Sequence, residues 1–164
     1  GESPSGSLLE AVGEVAAARA WELTGHDVAS VVWAMATLHL QQTPLLDAIG
    51  AACKDGNCDL TALGTKEVGG LAWGVSKAVA RPPLVHPALL EAIGNHVTWT
   101  VLPTLREDCA ASRPLDGRGL AMLARGLTAL SLVQPLWELM DCLLAVDADL
   151  GVDLASALLS ASSL

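Results

Sequence analysis

Three side chains able to carry positive charge recur at one position of a repeating pattern. They appear when DVASVVWA (Asp27 to Ala34), EVGGLAWG (Glu67 to Gly74) and GLAMLARG (Gly119 to Gly126) are superposed, which puts His26, Lys66 and Arg118 in register. A row of such groups along one edge is the arrangement that meets the phosphates of a single strand. Their place at helix starts is unfavourable against the macrodipole, although free N-terminal amides there could share an anion with them. The plainer reading is three solvated charges. Trp33 and Trp73 recur in the same alignment. An exposed indole stacks on nucleobases, but among Val, Ala, Leu and Met at helical spacing both are expected in the repeat core, together with Leu45 and Leu89.

The other reactive residues form weaker constellations. Cys53 and Cys58 flank a Lys-Asp-Gly-Asn turn, a spacing compatible with a metal knuckle if Cys109, Cys142, His86 or His96 completed it, or with a disulfide. No second pair has ligand spacing, so no metal is expected and free thiols are. Asp147, Asp149 and Asp153 cluster without the glycine and terminal Glu of a calcium loop. The chain has no Gly-x-Ser-x-Gly elbow, no HExxH and no phosphate loop, and GVSKAVA lacks the glycines that wrap phosphate. The expectation is a protein that is not an enzyme, with no cofactor and no small-molecule substrate.

What positions these residues is a tandem repeat. LLEAVG (Leu8 to Gly13), LLDAIG (Leu45 to Gly50) and LLEAIG (Leu89 to Gly94) are one pattern written three times, with a degenerate copy, LWELM, at Leu136 to Met140. The gaps of 37, 44 and 47 residues between Leu8, Leu45, Leu89 and Leu136 lie near the roughly 34 to 47 residues of two-helix solenoid repeats. The DVASVVWA series, with a faint fourth copy DLASALLS at Asp153 to Ser160, alternates with it and supplies the second helix of each pair. The predicted fold is all-α, an α-solenoid of about four stacked antiparallel helix pairs. Residues 1–7 read as a flexible leader and 8–164 as a single domain, with pairs at about 8–43, 44–83, 84–132 and 133–164.

Composition agrees. The chain of 164 residues is 52% hydrophobic, with no Phe, no Tyr and five Trp, a supply suited to close helix packing rather than a β sandwich. Mean hydropathy is +0.46, yet the charge-free run Val28 to Leu46 is broken by Ser30, Thr37, His39, Gln41, Gln42, Thr43 and Pro44. That is well short of the ~20 apolar residues a membrane span needs. Helices are expected at Leu8–Trp21, His26–Leu40, Pro44–Cys53, Thr65–Val79, Pro87–Leu102 with a stop or kink near Pro103, Asp116–Leu132, from Pro135, and at Val152–Ser162. Thr24 with Asp27 has capping-box spacing. The leader GESPSGS shows no targeting signal.

The stretches LTGHDVASVVWAMATL (Leu23 to Leu38) and LGTKEVGGLAWGVSKA (Leu63 to Ala78) resemble the second helix of the octotricopeptide repeats of organelle RNA-binding factors. They are similar too to the helical repeats of proteins of the RAP-domain and Fas-activated serine/threonine kinase type. The resemblance implies a right-handed stack, RNA contact inside an organellar gene-expression or ribonucleoprotein assembly, and a mitochondrial or plastid matrix location. Nine Lys and Arg against eighteen Asp and Glu, a net charge of −9, oppose nonspecific nucleic-acid binding. The alternative is an acidic scaffold subunit that docks protein partners on a concave face with no RNA contact.

Overall fold

A computed structural model describes residues 4–41, 43–78 and 86–146. Among them there are helices and connecting turns and no strand: α1 (Pro4–Ala18), a 3₁₀ turn (Ala20–Glu22), α2 (Gly25–Thr37), α3 (Thr43–Lys54), α4 (Thr65–Ala78), α5 (Pro87–His96), a π turn (Val97–Val101), α6 (Leu102–Ala110), α7 (Gly117–Ala129) and α8 (Val133–Val146). The all-α class is therefore as the composition predicts.

Local chemistry sets the ends. Thr24 and Asp27 form the expected capping box at the start of α2, each side chain taking the other's backbone N–H. The helices α2, α6 and α7 close alike: His39, Ser112 and Ser131 take positive φ of 53°, 53° and 57°. The next amides then reach back to Met35 O, Asp108 O and Leu127 O at 2.9, 2.8 and 2.9 Å. This is the Schellman closure that satisfies the last carbonyls of a helix. Leu40 and Leu132 follow it and pack on the core.

Three boundaries differ from the expectation. Helix α1 begins at Pro4, inside the segment read as a leader. The third first-type helix does not stop near Pro103. Leu102 N–H bonds Val97 O, five residues back, so the hydrogen-bond ladder changes register just before the proline, which has no N–H to give. The chain continues as helix α6 through Arg106, Glu107, Asp108 and Cys109, residues expected in a loop. The break at 81–83, the helix Val152–Ser162 and the cluster Asp147, Asp149 and Asp153 lie outside the described residues.

The helices pack in two rows. α1 touches α3, α3 touches α5, and α6 touches α8; separately, α2 touches α4 and α4 touches α7. Within the second row the contacts are in step. His26 meets Glu67 at 3.2 Å, and a Cβ on Gly74 would meet Val32, so α2 and α4 run the same way. A Cβ on Gly119 would meet Lys66 Cα, and one on Gly126 would meet Ala72, so α4 and α7 do too. One core cluster joins both rows, with Val28, Val32 and Met35 of α2, Val68, Leu71 and Val75 of α4 and Leu120, Leu123 and Leu127 of α7 facing Leu45, Ile49, Leu89 and Ile93. Leu45 and Leu89 are thus buried as expected.

Candidate nucleic-acid interface

The cation row is built by the second row of helices. His26, Lys66 and Arg118 are the second residues of α2, α4 and α7, and all three are exposed. Because the three helices run parallel and touch in order, the residues stand at the same end of neighbouring helices. The approach is close: Lys66 Cα would lie 3.2 Å from a Cβ on Gly119.

Carboxylates stand between the cations. His26 Nδ1 lies 3.2 Å from Glu67 Oε1, while Glu67 Oε2 accepts the Gly64 amide at 2.7 Å. Asp27 Oδ2 accepts the Thr24 amide at 2.9 Å, and Asp116 Oδ1 accepts the Gly119 amide at 3.0 Å. Hydrogen bonds from Thr24 hold the Asp27 carboxyl below its ordinary pKa. Each helix start therefore has one amide bound by the chain's own carboxylate. The anion site of free amides anticipated at these ends is reduced accordingly, and of the three cations in the row Lys66 and Arg118 have no ion pair among the described residues.

Trp33 is not in the core. It is 52% exposed, and the expectation of burial is overturned for a geometric reason. The inward stripe of α2 is Val28, Val32, Met35 and Ala36, and the residue after Val32 lies ~100° round the helix. Trp33 there walls a surface groove of about 460 Å³ with Ala29, Ser30, Lys66, Glu67, Gly70 and Met122. Trp73, one step along the row, is half-buried. The groove thus offers an indole face, a thioether and an ammonium group in one place. The same depression spans all three helices, since its lining comes from α2, α4 and α7.

Nothing matches by comparison: no family model, no curated protein and no solved structure is similar to the chain.

The cysteine and histidine candidates are dispersed. His86 caps α5, its Nδ1 accepting the Ala88 amide at 3.1 Å. His96 is buried and lies 2.8 Å from Leu63 O through Nε2, so Nε2 carries the proton and donates. Burial outweighs that bond and lowers the His96 pKa, while Nδ1 has no hydrogen-bond partner among the described residues. All four cysteines are free, with Cys53 and Cys58 hydrogen-bonded to each other. Among the described residues no group of three or more His, Cys, Asp or Glu is placed to hold a metal. None of their helices is long and apolar enough to cross a membrane.

Three exposed indoles have no ligand reading in the sequence: Trp21, which is 61% exposed, Trp99 and Trp137. Trp99 in the π turn and Trp137 in α8 are 76% and 63% exposed. A Cβ on Gly94 would meet Pro135, and Thr98 donates to Glu138 at 3.1 Å, so α8 runs parallel to the helix beside it. The residue after Thr98 and the residue before Glu138 then turn to the same side. The signal that could have marked Trp99 is its spacing: two residues beyond the buried Val97 it lies about 200° round the helix, on the outer side.

Proposed function

We propose that this chain is a non-enzymatic helical-repeat binding module of the octotricopeptide and RAP type, a two-layered solenoid of antiparallel pairs that contacts RNA within an organellar gene-expression assembly. What supports the solenoid is the order of contacts. Rows of helices whose main contacts are with successive neighbours, and that run the same way within the second row, are what stacked hairpins produce. The observation that carries RNA contact is Trp33, an exposed indole in a groove beside Lys66, with Arg118 on the next helix. A base stacked on Trp33 places its phosphate within reach of the cation row, and stacking of this kind is worth about 1 to 3 kcal/mol per base. Glu67 and Asp116 temper the row, which suits weak single-strand binding and not a polyanion track.

The test is filter binding of the whole chain to single-stranded RNA over a salt series. The expected result is salt-dependent retention, weakened roughly tenfold by Trp33→Ala and given a shallower salt slope by the Lys66→Ala, Arg118→Ala double variant. Absence of retention at low salt ends this reading. The interleaved carboxylates and the net charge of −9 favour a second one, an acidic scaffold that docks protein subunits of a larger complex. That reading gains if RNA is not retained.

A further inference from the structure

The helices of the second row carry a further recurring position above the cation row. Seven residues beyond His26, Lys66 and Arg118 stand Trp33, Trp73 and Arg125, two turns along and on the same side of each helix. Between the two sets, four residues on from the cations, lie Ser30, Gly70 and Met122, and all three line the groove of about 460 Å³. This middle set is low ground. Gly70 has no side chain, and a Cβ there would have Met122 Sδ as its nearest neighbour, at 3.8 Å. No carboxylate occupies any of these places, although the chain holds eighteen Asp and Glu. Those beside the helix starts, Asp27, Glu67 and Asp116, already accept backbone amides.

Arg125 is exposed and has no ion pair among the described residues. Its openness belongs to the position itself and holds where another helix follows. Trp33 is 52% exposed with α4 packed against α2, and Trp73 is half-buried with α7 packed against α4. A guanidinium is planar and weakly hydrated, and it stacks on a nucleobase as an indole does. The position thus presents two indoles and a guanidinium in step on parallel helices, with a trough between them and the cations.

We propose that Arg125 is a base-stacking residue, and that a single RNA strand crosses α2, α4 and α7 with its phosphates toward the cation row and its bases toward Trp33, Trp73 and Arg125. This rests on the RNA reading above, and it adds a binding residue on the third helix and a course for the strand. Stacking, and not an ion pair with phosphate, is the role assigned because the same place on the other two helices holds an aromatic ring and no charge.

Filter binding of the whole chain to single-stranded RNA of mixed sequence, at low salt, tests it with three substitutions at one site. Arg125→Ala weakens binding roughly tenfold, as loss of a stacked base does. Arg125→Lys keeps the charge, loses the plane and weakens binding nearly as much. Arg125→Trp loses the charge, keeps a plane and binds within about twofold of wild type. Arg125 is exposed, so these variants fold, which circular dichroism verifies. If wild type binds, Trp33→Ala weakens it and every Arg125 variant matches wild type, the inference is overturned and the RNA reading stands. If Arg125→Lys binds as wild type and Arg125→Trp does not, Arg125 is a phosphate contact and the stacking role is overturned. No retention of RNA by the wild-type chain ends both.

Discussion

Gly126 of α7 lies against Ala72 of α4 so closely that a Cβ built on it would stand 2.6 Å from the Ala72 Cβ and 2.7 Å from the Trp73 backbone nitrogen. Backbone cannot swing aside as a side chain does. The second-row helices therefore approach at glycine, and Gly69 repeats the contact from the other side, where an added Cβ would stand 2.9 Å from Leu123 N. Gly126→Ala gains about 1 kcal/mol of helix propensity and meets an overpacking cost of about 1 to 3 kcal/mol, enlarged by rigid atoms. The expected net effect is a loss of about 1 to 2 kcal/mol in urea unfolding. Gly117→Ala is the control: nothing lies within 4 Å of its Cβ position, and that variant should be neutral or slightly more stable.

His96 makes the fold acid-sensitive. Its pKa is lowered chiefly by burial, so the folded state resists a proton that the unfolded chain takes up near the ordinary value of 6.5. Unfolded chain then binds more protons than native below about that pH, and stability falls as pH drops through the window beneath it. The melting temperature should decline on going from pH 7 to 5. His96→Gln, whose amide can still donate to Leu63 O and cannot titrate, should flatten that decline. A slope unchanged in the variant would assign the sensitivity elsewhere.

Much of this architecture is readable from the residues, and the unreadable part has physical causes. The string LLxAhG marks equivalent helices because burial on the same neighbours demands the same pattern, and Leu45 and Leu89 sit where it places them. Trp33 was misplaced because α2 is apolar on more than one stripe, and which stripe is covered depends on α4, a neighbour that periodicity does not see. Pro103 reads as a stop or a kink. Only the three-dimensional ladder shows that a π turn lets the helix pass it. The carboxylates among the cations are legible as well: Glu67 lies three residues after Gly64, and Asp116 three before Gly119, the same capping spacing as Thr24 and Asp27.

Cys53 and Cys58 should close a disulfide under mild peroxide. The Cys53 S–H is hydrogen-bonded to the Cys58 sulfur, an arrangement that pushes the Cys53 thiol up and holds the Cys58 thiol down. The loop keeps them together, with the Cys58 amide 3.2 Å from Ala52 O. Cys58 as thiolate attacks peroxide to give a sulfenic acid and hydroxide; Cys53 then displaces water from it. Thiol counting under denaturing conditions should fall from four to two, with the 53–58 bridge found by peptide mapping. The Cys53→Ser variant should not form that bridge.

Glu67 restrains the cation row, and its removal distinguishes the two functional readings. It pairs with His26 and holds the Gly64 amide. Glu67→Gln deletes one negative charge from the centre of the groove wall while an amide oxygen can still accept the Gly64 N–H. The stability cost is expected near 0.5 to 1 kcal/mol, that of weakening an exposed helix cap. If RNA occupies the groove, a phosphate no longer opposed by this carboxylate binds several-fold more tightly at low salt, and the gain shrinks as salt rises. If the face docks a basic protein, the same substitution removes a complementary charge and weakens the complex, mainly by slowing association. Parallel titrations of wild type and Glu67→Gln with single-stranded RNA and with a lysine-rich peptide check both. Tighter RNA binding together with weaker peptide binding would place the phosphate at Lys66, and a variant indifferent to RNA would remove the groove from any RNA contact.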